Sequence, residues 1–236
     1  MNRYLIITDY TRFKPKNPNV CIAGIDYNTG ECIRPYPYLS FQEALRLGIA
    51  PGAILHGNFD LQPNRSGPHQ EDSSFADLQL YGVSTASTFR DVLLRRAFDD
   101  VRPAFGLSAH HTGRGVPVGH QLAHSIASVR VLPSSVAVVE DGFTAGKIRL
   151  NFTDLLGESW TGFPITDLGF YDYAQQHQTR GALDVINNWM QSQSEVMLRI
   201  GLSRAFQPSG QPNAYWMQAN GIYTFPEAPP GIRKHA

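Results

Sequence analysis

Residues 10–16 carry the densest mixture of positive charge and aromatic surface in the chain, in the order YTRFKPK. Single-stranded nucleic acid needs this mixture, because cations follow its backbone and rings stack on its bases, at roughly 1–3 kcal/mol per base. We expect the segment to form one edge of a groove that binds nucleic acid or a nucleotide, although an ordinary solvated loop fits the same residues. The binding residues named by this hypothesis are Arg12, Phe13, Lys14 and Lys16.

Arg34 is a second candidate for this groove. It precedes Pro35, which favours an extended backbone at the residue before it. An extended arginine can present its guanidinium fork to a phosphate or a carboxylate. The same side chain can instead pair internally with Asp26, Glu71 or Asp72, since a buried charge requires a partner. We favour the structural role and keep Arg34 as a candidate binding residue.

Trp216 belongs to a predicted last strand, residues 214–225. Alternate side chains of a strand point to opposite faces, so the set that contains Trp216 also contains Gln218 and Asn220. An exposed ring beside two amides is suited to reading bases, and Arg199 on a neighbouring strand is expected near it. Packing of Trp216 against a helix or against another part of the protein is an equal alternative.

Four histidines in the Gly- and Pro-rich residues 102–124 invite an enzyme interpretation. His120 and His124 have the i, i+4 spacing of two zinc ligands on a helix, but the sequence between them and before them does not favour a helix. No HExxH motif, nucleophile elbow or clustered carboxylates accompany them. We therefore expect no catalytic residue, no metal and no cofactor, and we predict that His110, His111, His120 and His124 do not converge on one ion.

The composition is typical of a folded protein and has no excess of positive or negative charge. The chain has 236 residues, of which 20 are Lys or Arg and 20 are Asp or Glu. Because phosphate neutralisation sets non-specific affinity, this balance argues against a protein that coats DNA by charge alone. Neither a signal peptide nor an apolar run of about 18 residues stands out, so we expect a cytoplasmic protein without a membrane span. In that compartment Cys21 and Cys32 are expected to stay reduced.

Side-chain periodicity divides the chain into strands and a few helices. Residues 147–153 and 196–202 alternate apolar with other side chains, which is typical of strands. Apolar stripes at helical spacing predict helices over residues 89–99 and 181–190, whereas residues 60–88 are polar and carry a loop at 67–72. Further strands are expected over residues 4–10, 20–26, 31–35, 53–59 and 128–132, and a short helix over 41–47. The fold class is mainly β with a few helices.

Six strings follow one another along the chain, VCIAGID (20–26), GECIRP (30–35), PHQED (68–72), ITD (165–167), LRIGLSR (198–204) and YWMQANG (215–221). In this order they resemble the dual OB-containing domain family of bacteria. The resemblance implies two packed OB-like antiparallel barrels, which we place at residues 1–120 and 125–236. It also implies a bacterial protein, often found in mobile or defence-associated contexts, with a predicted nucleic-acid role and no catalytic residue to carry over.

Recognition of nucleic acid or a nucleotide, within a larger bacterial system, is the leading functional hypothesis. A second hypothesis is an adaptor whose barrels hold an enzyme partner, which exposed apolar patches without a basic groove would favour. The third is an enzyme acting on nucleic acid or a nucleotide at the His-rich connection, which requires convergent histidines and carboxylates.

Overall fold

The computed structural model describes residues 1–13, 17–61, 67–229 and 232. The expectation of a mainly β fold with a few helices is confirmed. The strands are β1 (Asn2–Arg12), β2 (Asn19–Asp26), β3 (Cys32–Pro35), β4 (Leu39–Ser40), β5 (Ala53–Leu61), β6 (Asp72–Val83), β7 (Ala97–Phe98), β8 (Gly115–Pro117), β9 (Ile126–Val131), β10 (Ala137–Glu140), β11 (Ile148–Thr153), β12 (Ser159–Pro164), β13 (Glu195–Leu202) and β14 (Ala214–Phe225). The helices are α1 (Phe41–Arg46), α2 (Ala86–Leu94), α3 (Val101–Ala104), α4 (Leu168–Thr179) and α5 (Leu183–Ser192), and a 3₁₀ turn spans Pro133–Ser135.

The N-terminal strands form a closed five-stranded barrel. Strand β1 pairs antiparallel with β2 and β5, β2 with β3, and β5 with β6, while β3 and β6 run parallel and close the ring. Helix α1 follows β3 and the short β4, and its Ala44 packs with Ile7, Ile22 and Leu55 of the strands. The apolar side chains of these strands and of α1 therefore form a common core in the N-terminal barrel.

Gly24 allows β1 and β2 to approach each other. A Cβ atom at this position would lie 2.9 Å from the carbonyl oxygen of Ile6, a distance that real Cβ atoms essentially never show. Any larger residue would push the two strands apart. The glycine in the string VCIAGID therefore has a steric explanation within the barrel.

The C-terminal strands form two sheets. One has the order β10-β11-β12, and the other has the order β7-β9-β13-β14-β8. Single bridges join them, an antiparallel one between Val131 and Asp154 and a parallel one between Ile165 and Ala219. Strands β7 and β8 lie before residue 120 in the chain, so segments of the predicted first domain complete the C-terminal sheet.

The N- and C-terminal halves pack directly on each other. Helix α2 contributes Phe89, Val92 and Leu93 to an apolar cluster that also contains Ile6 of β1 and Met197 of β13. Backbone contacts reinforce this packing, because the amide of Arg12 donates to the carbonyl oxygen of Thr166 at 3.0 Å.

Several elements differ from the sequence prediction, among them α2, α4 and β6. Helix α2 begins at Ala86 rather than at residue 89, because Thr85 caps it by accepting from the Thr88 amide at 3.1 Å. It ends at Leu94, and residues 97–98 form β7 instead of a last helical turn. Strand β6 lies in the polar segment 60–88, for which no strand was predicted, and α4 was not predicted either.

Candidate nucleic-acid interface

Three aromatic side chains form a continuous row on the surface of the N-terminal barrel. The ring centroids of Phe13 and Tyr38 lie 4.9 Å apart, and those of Tyr38 and Tyr36 lie 5.2 Å apart. Tyr36 stands between Pro35 and Pro37, whose fixed φ angles stiffen the backbone here, and its side chain is exposed. The segment after β1 and the segment after β3 are thereby joined by ring contacts, one tilted and one edge-to-face.

Arg204 places a cation beside this row. Its guanidinium carbon lies 5.5 Å from the ring centre of Tyr36 and 5.9 Å from that of Tyr38. It donates from Nη2 to the Tyr38 hydroxyl at 3.1 Å and to Oδ2 of Asp72 at 2.9 Å. The segment between β13 and β14 carries Arg204, so the C-terminal half contributes to the surface of the N-terminal barrel.

Arg34 lies beneath Arg204 in the same network of charges. Its Nε donates to Oδ1 of Asp72 at 2.5 Å, so Asp72 joins the two guanidinium groups. Burial raises the pKa of Asp72, but Arg34 and Arg204 together hold it below its ordinary value. The side chain of Arg34 is buried, and its Nη2 has no hydrogen-bond partner within the described residues. Of the three acids considered from sequence, Asp72 is the one that pairs with Arg34.

His69 borders this network from the segment that precedes β6. It is 7% exposed, its ring lies 6.0 Å from that of Tyr215, and neither ring nitrogen makes a hydrogen bond of normal geometry within the described chain. Burial, followed by the charges of Arg34 and Arg204, lowers the pKa of His69 to about 3. The imidazole is neutral at physiological pH and offers one donor and one acceptor.

The remaining sequence-predicted residues lie elsewhere or outside the described residues. Arg12 stacks on Tyr171 of α4, with its guanidinium carbon 3.3 Å from the ring centre. Arg199 is 2% exposed and pairs with Asp9 between the two halves. Trp216 is half-buried and donates from its indole nitrogen to the carbonyl oxygen of Phe206 at 2.9 Å. Lys14 and Lys16 lie outside the described residues.

Of the sequence-predicted residues, the structure brings Phe13 and Arg34 to the same site, through Tyr38, Arg204 and Asp72. Sequence reasoning did not name Tyr36, Tyr38, His69 or Arg204 as binding residues. Two of them stood in strings already noted, His69 in PHQED and Arg204 in LRIGLSR, and the two tyrosines lie two and four residues after Arg34.

Two of the four histidines in residues 102–124, His120 and His124, contact different neighbours. His120 pairs through Nε2 with the carbonyl oxygen of Gly106 at 3.1 Å, and the ring of His124 lies 5.9 Å from that of Phe98. Among the residues that the structure describes, no three His, Cys, Asp or Glu side chains are placed to hold a metal ion.

Within the described ranges, no helix combines the length and the apolar character needed to cross a membrane.

Comparisons with known proteins give the chain no relative, since no family model, no curated protein and no solved structure matches it.

Proposed function

We propose that this protein binds single-stranded nucleic acid, or a nucleotide, on the surface formed by Phe13, Tyr36, Tyr38 and Arg204, which we call the aromatic face. The contiguous row of rings with a guanidinium over two of them carries the proposal. Rings of this kind stack on bases without reading their sequence, and arginine adds attraction to both the bases and the phosphates.

The position of the aromatic face on the barrel supports this function. OB folds bind oligonucleotides on the face of their second and third strands and with the loops that follow the first and fourth strands. In the N-terminal barrel the second and third strands are β2 and β3. Phe13 follows the first strand, and His69 follows the fourth. Aromatic, cationic and neutral hydrogen-bonding groups thus border the surface that such a fold uses.

We further propose that the C-terminal half is a second OB-type barrel packed on the first, as in the dual OB-containing domain family. The N-terminal ring has the order first, second, third, fifth and fourth strand, with the third and fifth parallel. Taking β9, β11, β12, β13 and β14 as the five strands, the pairings and the two single bridges follow the same order, and the bridge from Ile165 to Ala219 is also parallel. A bacterial, cytoplasmic and defence-associated setting stays a prediction.

The zero net charge of the chain favours binding to nucleic acid through specific contacts over binding through overall positive charge. The overall balance is zero, and Asp72 partly neutralises the two arginines nearest the rings. Affinity that comes mainly from phosphate contacts falls steeply with salt, whereas stacking is less sensitive. We therefore expect binding with a shallow salt dependence and a preference for unpaired bases.

Fluorescence anisotropy with labelled single- and double-stranded DNA and RNA tests the proposal. Replacing Tyr36 or Arg204 with Ala is expected to weaken single-strand binding about tenfold, since one stacked base is worth about 1–3 kcal/mol. Phe143→Ala and Arg180→Ala are matched controls, because both residues are exposed and lie outside the aromatic face. If the folded wild type binds none of these nucleic acids at low salt, the proposal is wrong.

A protein-binding adaptor is the second candidate function. Leu45 of α1 and Leu80 and Val83 of β6 are large apolar side chains left exposed. Leu80 reaches the end of α1, where its Cδ2 would lie 3.2 Å from a Cβ atom at Gly48. Exposed apolar side chains on a chain without net charge are the pattern expected of an adaptor. Absence of nucleic-acid binding would favour this function.

A further inference from the structure

A cavity of about 340 Å³ lies where the two halves meet. The N-terminal barrel contributes Cys32 and Ile33 to its lining, α2 contributes Val92 and Leu93, and the C-terminal sheet contributes Ser128 and Arg199. Pockets for small molecules span about 300–1,000 Å³, so this cavity has room for a ligand at the small end of that range.

One wall of the cavity is apolar. Ile33, Val92, Leu93 and Ile126 are buried aliphatic side chains that line it, and Phe98 adds the surface of an aromatic ring. These side chains come from both halves and from α2. A ligand with a flat or branched apolar body would be desolvated against this wall.

Other residues of the lining offer hydrogen-bond donors. Arg199 donates from Nε to Asp9 at 2.9 Å, from Nη1 to the Ser128 hydroxyl oxygen at 3.1 Å and from Nη2 to the Cys32 sulfur at 3.2 Å. A guanidinium has five N–H groups, and a hydroxyl that accepts a hydrogen bond still has its own proton to donate. Arg199 and Ser128 therefore retain donors that suit an acceptor oxygen of a ligand.

Arg96 supplies the charge available to a ligand. It lines the cavity, its side chain is exposed, and within the described residues it forms neither a hydrogen bond nor an ion pair. The acidic groups of the lining are already engaged. Glu71 accepts from the amide and hydroxyl of Ser125 at 2.6 and 2.8 Å, and Glu31 accepts from Arg3 at 2.5 Å.

His124 adds an unsatisfied polar atom to the lining. Its Nε2 is buried and has no hydrogen-bond partner within the described chain, while its ring packs near Phe98 and Phe105. A buried polar atom without a partner is costly, and a ligand atom that pairs with it would remove that cost.

We propose that this cavity binds a small organic anion. The apolar body lies against the aliphatic wall, the carboxylate or phosphate lies at Arg96, and an acceptor atom receives hydrogen bonds from Ser128 and Arg199. This site is separate from the aromatic face and does not depend on nucleic-acid binding. A carboxylic acid and a nucleoside monophosphate share the required chemistry.

Isothermal titration calorimetry with paired ligands tests this site on the full chain. One pair is adenosine 5′-monophosphate and adenosine, and the other is benzoate and benzamide. We expect the acid of at least one pair to bind about tenfold more tightly than its neutral counterpart, because charge-assisted hydrogen bonds are stronger than neutral ones. The pair that shows this preference identifies the source of the anion, phosphate or carboxylate. Equal affinities within both pairs, or no binding by either acid at millimolar concentration, would overturn the proposal.

Substitutions in the lining of the cavity test whether the ligand binds there. Arg96→Ala is expected to abolish the preference for the acid, and Ala123→Trp, at an exposed position of the lining, to block either ligand. Arg95→Ala is the matched control, because the neighbouring Arg95 lies over the ring of Tyr27, outside the lining. Phe143→Ala, at an exposed position outside both the lining and the aromatic face, is expected to leave the affinity unchanged. Loss of the preference for the acid in Tyr36→Ala would place the binding at the aromatic face and contradict this assignment. An equal effect of Arg95→Ala and Arg96→Ala, or binding that survives Ala123→Trp, contradicts the assignment.

Discussion

Arg199 and Asp9 form a buried ion pair that joins the two halves of the protein. The Nε of Arg199 in β13 donates to Oδ2 of Asp9 in β1 at 2.9 Å, although 190 residues separate them along the chain. The two side chains are 3% and 1% exposed. Burial lowers the pKa of Arg199, but Asp9 and Cys32 more than offset it and keep this pKa above its ordinary value. Arg199 is therefore charged, and its ion-pair partner comes from the other half of the protein.

Replacing Arg199 with Met is expected to destabilise the whole protein. Removing one member of a buried pair leaves the other charge without compensation, at a cost of about 3–5 kcal/mol. The free energy of unfolding measured in urea should fall by this amount. Since the pair spans the interface, we expect both halves to lose stability together.

Arg90→Met is the control for this loss. Arg90 pairs with Glu195, but its side chain is 43% exposed, and such surface pairs contribute at most about 1 kcal/mol. Similar losses of stability in the two variants would show that the Asp9–Arg199 pair has no special role.

The alternating segments were the most predictable part of the fold. Residues 148–153 and 195–202 are strands, as their apolar periodicity indicated. Strand β6 was missed because its side chains are mostly exposed or half-buried, so no alternation marks it. Helix α4 was missed because only Phe170 and Ala174 are buried on it, which is too few to form a visible stripe. Its start is fixed by Asp167, whose Oδ1 accepts from the Phe170 amide at 3.1 Å.

The candidate site was predictable only in part. Phe13 and Arg34 were predicted from the charged and aromatic residues next to them in the sequence. His69 and Arg204 reach the site only through the barrel topology and the packing of the two halves, which no short sequence pattern encodes. Arg199 was expected near an open face, yet both faces of β13 are buried, one in the C-terminal core and the other, which carries Arg199, against the N-terminal half. Alternation along a strand separates two faces and does not tell which of them solvent reaches.

His69 is expected to make the protein sensitive to acid. Its folded-state pKa of about 3 lies below the ordinary value of 6.5, so between these pH values the unfolded chain binds a proton that the folded chain does not. Stability is therefore retained above pH 6.5 and lost as the pH falls, by up to about 1.4 kcal/mol per pH unit from this residue. Urea unfolding of wild type and His69→Gln at pH 7, 6 and 5 should show the variant gaining relative stability in acid.

His110→Gln is the control for that pH dependence, because His110 is exposed. If His69→Gln and His110→Gln change with pH in the same way, the burial of His69 does not produce the acid sensitivity.

Glu71→Gln is expected to loosen the connection between the segment before β6 and the start of β9. The carboxylate accepts from the amide and hydroxyl of Ser125 and from the amide of Ile126, at 2.6, 2.8 and 3.1 Å. A glutamine replaces one acceptor oxygen with a donor, which should cost about 1–3 kcal/mol in unfolding free energy. Glu227→Gln, at an exposed position, should change the stability little, and equal losses would argue against this role of Glu71.

Lys14 and Lys16 should act on nucleic-acid binding differently from Phe13. Replacing both lysines with Ala is expected to weaken binding to all single-stranded sequences alike and to flatten the slope of log K against log salt by about 1.4, since each phosphate contact on a single strand contributes about 0.7. Phe13→Ala removes a ring from the aromatic face, so affinity should fall while the slope stays unchanged. Anisotropy titrations at two salt concentrations measure both quantities, with folding checked by circular dichroism. A steeper or unchanged slope in the lysine variant would exclude phosphate contacts from this segment and leave stacking as the source of affinity.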